Sequence, residues 1–150
     1  MVALLVFLAL VAAVGLVGGQ FRPDAWFEAL AKPVFNPPPW VFAPVWLALY
    51  VCIAIAGWMV WRGRTRRGLL LGLWGAQLVC NGLWSWLFFG LHRPELALVD
   101  IVALLATLLA FLVVAWPARR TAAWLFVPYA AWVGFATVLN AAIWRLNTVR

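Results

Sequence analysis

A chain of 150 residues with 68% hydrophobic and 10% charged side chains has too little polar surface to clothe a water-soluble fold. Its net charge of +7 does not point to nucleic acid, because four of the arginines crowd into one short turn beside apolar runs, a pattern set by membrane topology and anionic headgroups. Cys52 and Cys80 fall inside apolar runs and His92 is the sole histidine, so a disulfide framework, a metal centre and a bis-histidine haem site are all excluded as expectations.

Five apolar stretches follow one another: Val2–Gly19, Val41–Trp61, Leu69–Gly90, Leu96–Trp116 and Ala122–Trp144. Each is close to the roughly 20 residues that carry a helix across about 30 Å of hydrocarbon. The expected fold is therefore all-α, an integral membrane bundle of five transmembrane helices forming one domain over residues 1–150. No basic residue precedes the first run, and four further runs follow it, so it reads as a retained helix and not as a cleaved signal. Gly15 and Gly19 form a GxxxG pair beside Gly18, which permits close helix approach and dimerisation.

Residues 20–40 make the largest connection. A short helix is expected over 24–31, with Asp24, Glu28 and Lys32 spaced four apart to lace it together. Pro33, Pro37, Pro38 and Pro39 then forbid helix, giving a stiff segment suited to act as a lid over one mouth of the bundle.

In the second run Trp46 and Tyr50 share a face one turn apart. The turn that follows reads RGRTRR, and the turn near 117–121 reads PARRT. With five crossings these place six arginines and no carboxylate on one side, which by the positive-inside bias faces the cytoplasm with the N-terminus. In the third run Gln77, Asn81 and Ser85 line one helical face and need either protein partners or a polar ligand, with Asn140 and Thr107 available as partners. In the last run Pro128 frees a carbonyl, and Pro128, Trp132, Phe135 and Leu139 form one face flanked by Ala131 and Ala136. That face serves equally as ordinary helix packing or as the wall of a cavity.

Of the twelve tryptophans, Trp26, Trp58, Trp61, Trp116, Trp124 and Trp144 lie near run ends and suit an interfacial belt. Trp132 lies mid-span, where its indole N–H needs a partner, and with Trp46 it is a candidate for lining a pocket.

The segments WFEALAKPVFNPPPWVFAPVW at 26–46, AQLVCNGLWSWLFFG at 76–90, RPELALVDI at 93–101 and PYAAWVGFATVLNAAIWRLN at 128–147 resemble the tryptophan-rich sensory protein / translocator protein family, also called the peripheral benzodiazepine receptor family. The resemblance implies a five-helix bundle that forms homodimers and binds porphyrins such as protoporphyrin IX. In animal members it also implies binding of cholesterol and synthetic ligands. It implies a pocket covered by the long first connection, with Trp46 and Trp132 as the porphyrin-associated indoles and Asn81 as the ligand-facing amide. Some members promote light- and oxygen-dependent porphyrin breakdown, in which Trp46 and Trp132 would be the reacting neighbours. The cholesterol motif expects an aromatic residue where this chain has Ala141 and Ala142, so steroid binding is not expected.

Together these readings nominate Trp46, Tyr50, Gln77, Asn81, Pro128, Trp132, Phe135 and Ala136 as ligand-binding residues. Arg22 and Lys32 are nominated for the propionates or the lid. Indoles stack on a flat macrocycle, and cations at headgroup depth pair with its acids. No cofactor is obligatory; protoporphyrin IX is the expected ligand, with porphyrin, lipid, a second copy and a regulatory protein as partners. The expected function is a tetrapyrrole receptor or regulator, with porphyrin photodegradation and transport of porphyrin or lipid as alternatives. The expected site is a bacterial cell membrane crossed several times, an outer-membrane location being possible by family resemblance.

Overall fold

The computed structural model describes residues 1–148, all of whose regular structure is helical. Helix α1 spans Val2–Gly18, α2 Ala25–Ala29, α3 Phe42–Arg62, α4 Arg67–Ser85, α5 Pro94–Ala118 and α6 Arg120–Thr148. A 3₁₀ turn, Pro39–Val41, leads into α3, and a π turn, Trp86–Gly90, continues α4.

Local chemistry explains the ends. The Asp24 carboxylate caps α2 by accepting the Phe27 N–H at 3.2 Å. Pro94 opens α5 at a position where a missing N–H costs nothing. In the π turn the Leu91 N–H donates to the Trp86 carbonyl five residues back, at 2.8 Å, so the third apolar run ends in a widened turn instead of regular α-helix.

Three elements are long and apolar enough to cross a membrane: Pro39–Arg62, Pro94–Ala118 and Arg120–Thr148. Helix α1 is apolar but has 17 residues. Helix α4 falls short in apolarity because Gln77, Asn81 and the glycines at 68, 72, 75 and 82 dilute its leucines.

The bundle is arranged so that α5 lies between α4 and α6, while α1 packs on α3 and α4, and α3 on α6. Ile53, Leu104, Leu108, Phe111, Phe126 and Val133 fill the centre. Large apolar side chains also point outward, Val113 at 75% and Leu47 at 68% exposure, as suits helices whose solvent is lipid. Glycines set two close approaches. A methyl on Gly57 would sit 2.6 Å from the Trp74 ring, whose N–H donates to the Ile53 carbonyl at 2.8 Å. A methyl on Gly15 would sit 2.9 Å from the Tyr50 ring. Gly15 thus serves packing within the chain, and Gly19 is the C-cap of α1.

The lid segment is built differently from its sequence reading. Its short helix forms, but Lys32 does not bond the Glu28 carboxylate. Its ammonium donates to the carbonyls of Phe27, Glu28 and Leu30 at 2.7, 3.2 and 3.2 Å, closing the C-terminal end of α2, where the Phe27 carbonyl also accepts the Leu30 N–H at 3.2 Å. Asp24 bonds His92 at 2.9 Å instead. Trp26 stacks on the His92 ring at 4.3 Å, and Phe27 packs on Phe88 and Phe89.

Helix α6 runs a turn beyond its apolar stretch, and there Asn147 brackets Ala31: its amide donates to the Ala31 carbonyl and its oxygen accepts the Ala31 N–H, both at 3.0 Å. The connection over 20–40 is therefore fastened at both ends of its helical half.

Candidate functional site

Helix α6 presents two faces one residue apart. Its inner face carries Phe126, Tyr129, Val133 and Asn140, all buried. Tyr129 is fully buried, and its hydroxyl donates to Gln77 Oε1 at 2.8 Å while accepting from Asn81 Nδ2 at 2.8 Å. Two residues of the α4 polar stripe are thus joined through one phenol. Sequence reasoning missed Tyr129. The signal available was a tyrosine inside an apolar span, whose hydroxyl must find a partner, opposite two amides spaced one turn apart.

The expected partners resolve otherwise. Asn140 accepts the Trp84 indole N–H at 3.0 Å and donates to the Pro94 carbonyl at 2.9 Å. Thr107 bonds the Ala103 carbonyl of its own helix, and so is not a partner of the stripe. Gln77 Nε2 is buried with no partner among the described residues.

Trp46 and Tyr50 belong to this inner side. Their rings lie 5.5 Å apart, and Trp46 meets Tyr129 edge-on at 6.3 Å. An aromatic group, Trp46–Tyr50–Tyr129, therefore leads from α3 to the Gln77–Asn81 amides.

The outer face of α6 opens onto a cleft of about 600 Å³ between α6 and α3. Pro128, Ala131, Trp132 and Phe135 form one wall, Val45, Ala48 and Leu49 the other, and Pro37 of the lid reaches its edge. Its volume lies within the usual range of roughly 300–1,000 Å³ for small-molecule sites. Trp132 meets Phe42 edge-on at 5.8 Å and leans on Phe135 at 5.6 Å, and Phe35 of the lid approaches Phe135 at 6.3 Å. The Trp132 indole N–H has no hydrogen-bond partner among the described residues.

Of the nominated residues, Pro128, Trp132 and Phe135 meet in the cleft, and Trp46, Tyr50, Gln77 and Asn81 meet in the inner cluster. Ala136 packs half-buried against the core. Neither Arg22 nor Lys32 lines the cleft; the Arg22 Nε donates to the Gly19 carbonyl at 3.2 Å, and Lys32 is held by its three carbonyls. Apolar walls with an open side and aromatic planes suit a flat hydrophobic molecule with few polar groups. Among the described residues no cluster of three metal-ligating side chains occurs.

Comparison with known proteins agrees along nearly the whole chain. The TspO/MBR family matches residues 6–145. Protein CrtK of Rhodobacter capsulatus is 37% identical over 145 residues, covering 95% of this chain and 91% of its own. Tryptophan-rich protein TspO of Archaeoglobus fulgidus is 38% identical over 141 residues, covering 91% and 92%. The translocator protein of Bos taurus is 36% identical over 144 residues, covering 91% and 85%. With its long apolar helices this is a multi-pass membrane protein, and the chain belongs to the TspO/MBR family.

Proposed function

We propose that this chain crosses the membrane five times and acts as a receptor or regulator that binds a tetrapyrrole such as protoporphyrin IX in the α3–α6 cleft. The observation that carries the reading is the cleft itself: an open apolar slot walled by Trp132 and Phe135, edged by Pro37 of a fastened lid. The macrocycle would stack on the aromatic planes of Trp132 and Phe135. Trp46 would act from behind the wall, through Tyr50 and Tyr129. Lys32 reaches a propionate only by letting go of the Phe27, Glu28 and Leu30 carbonyls, which would couple ligand capture to the shape of the lid.

Five crossings are supported by α1, about 25 Å long at 1.5 Å per residue, and by the π turn that prolongs α4. A bacterial cell membrane suits these helical spans, since outer-membrane spans are usually closed barrels. A homodimer along α4 is supported by Gly68, Gly72 and Gly75, where an added methyl meets nothing within the chain. Disulfide cross-linking of an Ala76→Cys form in membranes tests it: cross-linked pairs are expected, and monomers alone would exclude that face.

The test of the function is tryptophan fluorescence quenching on titration with protoporphyrin IX in the dark, followed by absorbance under illumination. Saturable one-site quenching is expected. Unsaturable quenching equal to that of a free tryptophan derivative in the same detergent would overturn the reading, and protein-dependent bleaching in light would move it toward porphyrin breakdown.

A further inference from the structure

The end of the bundle away from the lid carries charge of one sign only. Arg62, Arg64, Arg66 and Arg67 lie in the α3–α4 connection, and Arg119 and Arg120 between α5 and α6. All four carboxylates, Asp24, Glu28, Glu95 and Asp100, lie in the lid or the first turns of α5 at the other end. Among the described residues both ion pairs, Asp24–His92 and Arg93–Glu95, also belong to that other end.

The two arginine connections are pressed together. Arg119 Nε lies so close to Gly63 that no side chain would fit there, which places this guanidinium against the α3–α4 connection. Six guanidinium groups share this end while every carboxylate side chain lies at the other, so an anion is favoured in their company.

Indoles set the depth of the group. The guanidinium of Arg62 lies over Trp58 at 4.9 Å, that of Arg67 over Trp61 at 5.2 Å, and that of Arg120 over Trp116 at 5.4 Å. Cation–π contact holds each of these three guanidinium groups at the level of the indoles, and a guanidinium at that level can fork onto phosphate oxygens. Trp61, Trp116 and Trp124 are exposed beside the cations, presenting apolar surface where the arginines present donors.

We propose that this end is a binding site for an anionic phospholipid, with the headgroup phosphate held between Arg119 and the Arg64–Arg66 connection and the acyl chains running along the exposed indoles. A lipid is the occupant, in preference to free phosphate, because the indole layer marks the interface and offers contact only to a ligand with an apolar part. The site is independent of the porphyrin cleft and stands or falls without it.

The test is a titration of the full-length chain in neutral detergent with short-chain phosphatidylglycerol, phosphatidylcholine of the same chain length, or inorganic phosphate, read by melting temperature. Phosphatidylglycerol is expected to bind saturably and at least about tenfold more tightly than the other two. The Arg64→Gln/Arg66→Gln/Arg119→Gln form should lose about 100-fold in affinity, at about fivefold per arginine. An Arg93→Gln/Arg145→Gln form, altered at the opposite end, should bind as wild type does.

Equal binding of phosphatidylcholine, equal binding of inorganic phosphate, or equal weakening in both variants would overturn the site. Should the triple variant fail to fold, the wild type decides: affinity for phosphatidylglycerol must fall steeply as salt rises, and a flat response contradicts the proposal.

Discussion

Tyr129 and Pro128 are neighbours in sequence, yet they serve opposite regions of the molecule. Tyr129 enters the bundle interior, where its hydroxyl reaches across to Gln77 and Asn81 of α4 and forms a polar seam out of reach of solvent. Pro128 turns the other way, and with Trp132 and Phe135 lines an open cleft against α3. The seam is closed and polar; the cleft is open and apolar. One helix can hold the bundle together and present a ligand face because a shift of one residue rotates the side chain by about 100°. The contrast predicts that seam substitutions change stability first, and cleft substitutions change binding first.

The largest expected effect breaks the seam. Tyr129→Phe strips the hydroxyl and leaves Gln77 Oε1 and Asn81 Nδ2 buried without it. Thermal unfolding in detergent should show a loss of about 1–3 kcal/mol, while porphyrin affinity measured well below the transition stays near wild type. A comparable loss is expected for Gly57→Ala, whose methyl would meet Trp74 and Phe7 at 2.6 and 2.7 Å; overpacking of this kind costs about 1–3 kcal/mol.

The converse experiment is Trp132→Ala. This half-buried side chain packs on Phe42, Phe135 and the core, so the melting temperature falls as well, but porphyrin affinity measured well below the transition should also drop about tenfold, equivalent to about 1.4 kcal/mol, where Tyr129→Phe leaves it near wild type.

A smaller effect concerns the lid. Asn147→Ala removes both bonds to Ala31, and backbone hydrogen exchange across residues 20–40 should quicken while the helices keep their protection.

The smallest effect is a pH dependence of the same segment. The Phe27 N–H, helped by His92, holds the Asp24 carboxyl below its ordinary value of 3.8. A carboxylate depressed by folding contributes fully above its unfolded pKa and loses its contribution as pH falls through the folded value. The α2 anchor should therefore be intact at pH 5, and protection factors over residues 24–29, corrected for the intrinsic pH dependence of exchange, should fall only in acid below about pH 4.

Much of the helical layout was legible because apolar run length is set by the thickness of hydrocarbon. The ends were less so: α6 runs to Thr148 because Asn147 bonds the lid, a contact 116 residues distant in sequence that no local pattern encodes. The α4 stripe was legible as a polar face, but its partner was not. Asn140 was the natural choice by type, whereas register assigns it to Trp84 and Pro94, and gives Gln77 and Asn81 to a tyrosine. Lys32 illustrates a similar limit, since four-residue spacing suggests a carboxylate partner but a five-residue helix ends before the pair can form, and its bare carbonyls take the ammonium. Spacing grouped Pro128, Trp132, Phe135 and Leu139 on one face without deciding between packing and a cavity wall; the first three line the cleft, whereas Leu139 is buried in a core cluster. The separation of Trp46 from those three was not legible, because it depends on how α3 is rotated against α6.

That separation offers the most direct test. Dissociation constants for protoporphyrin IX, measured in the dark on wild type, Trp132→Phe and Trp46→Phe, compare the cleft with the inner cluster. A ligand seated in the α3–α6 cleft requires Trp132→Phe to weaken binding several-fold more than Trp46→Phe does. The reverse order, or no change in either, would contradict the cleft as the binding site.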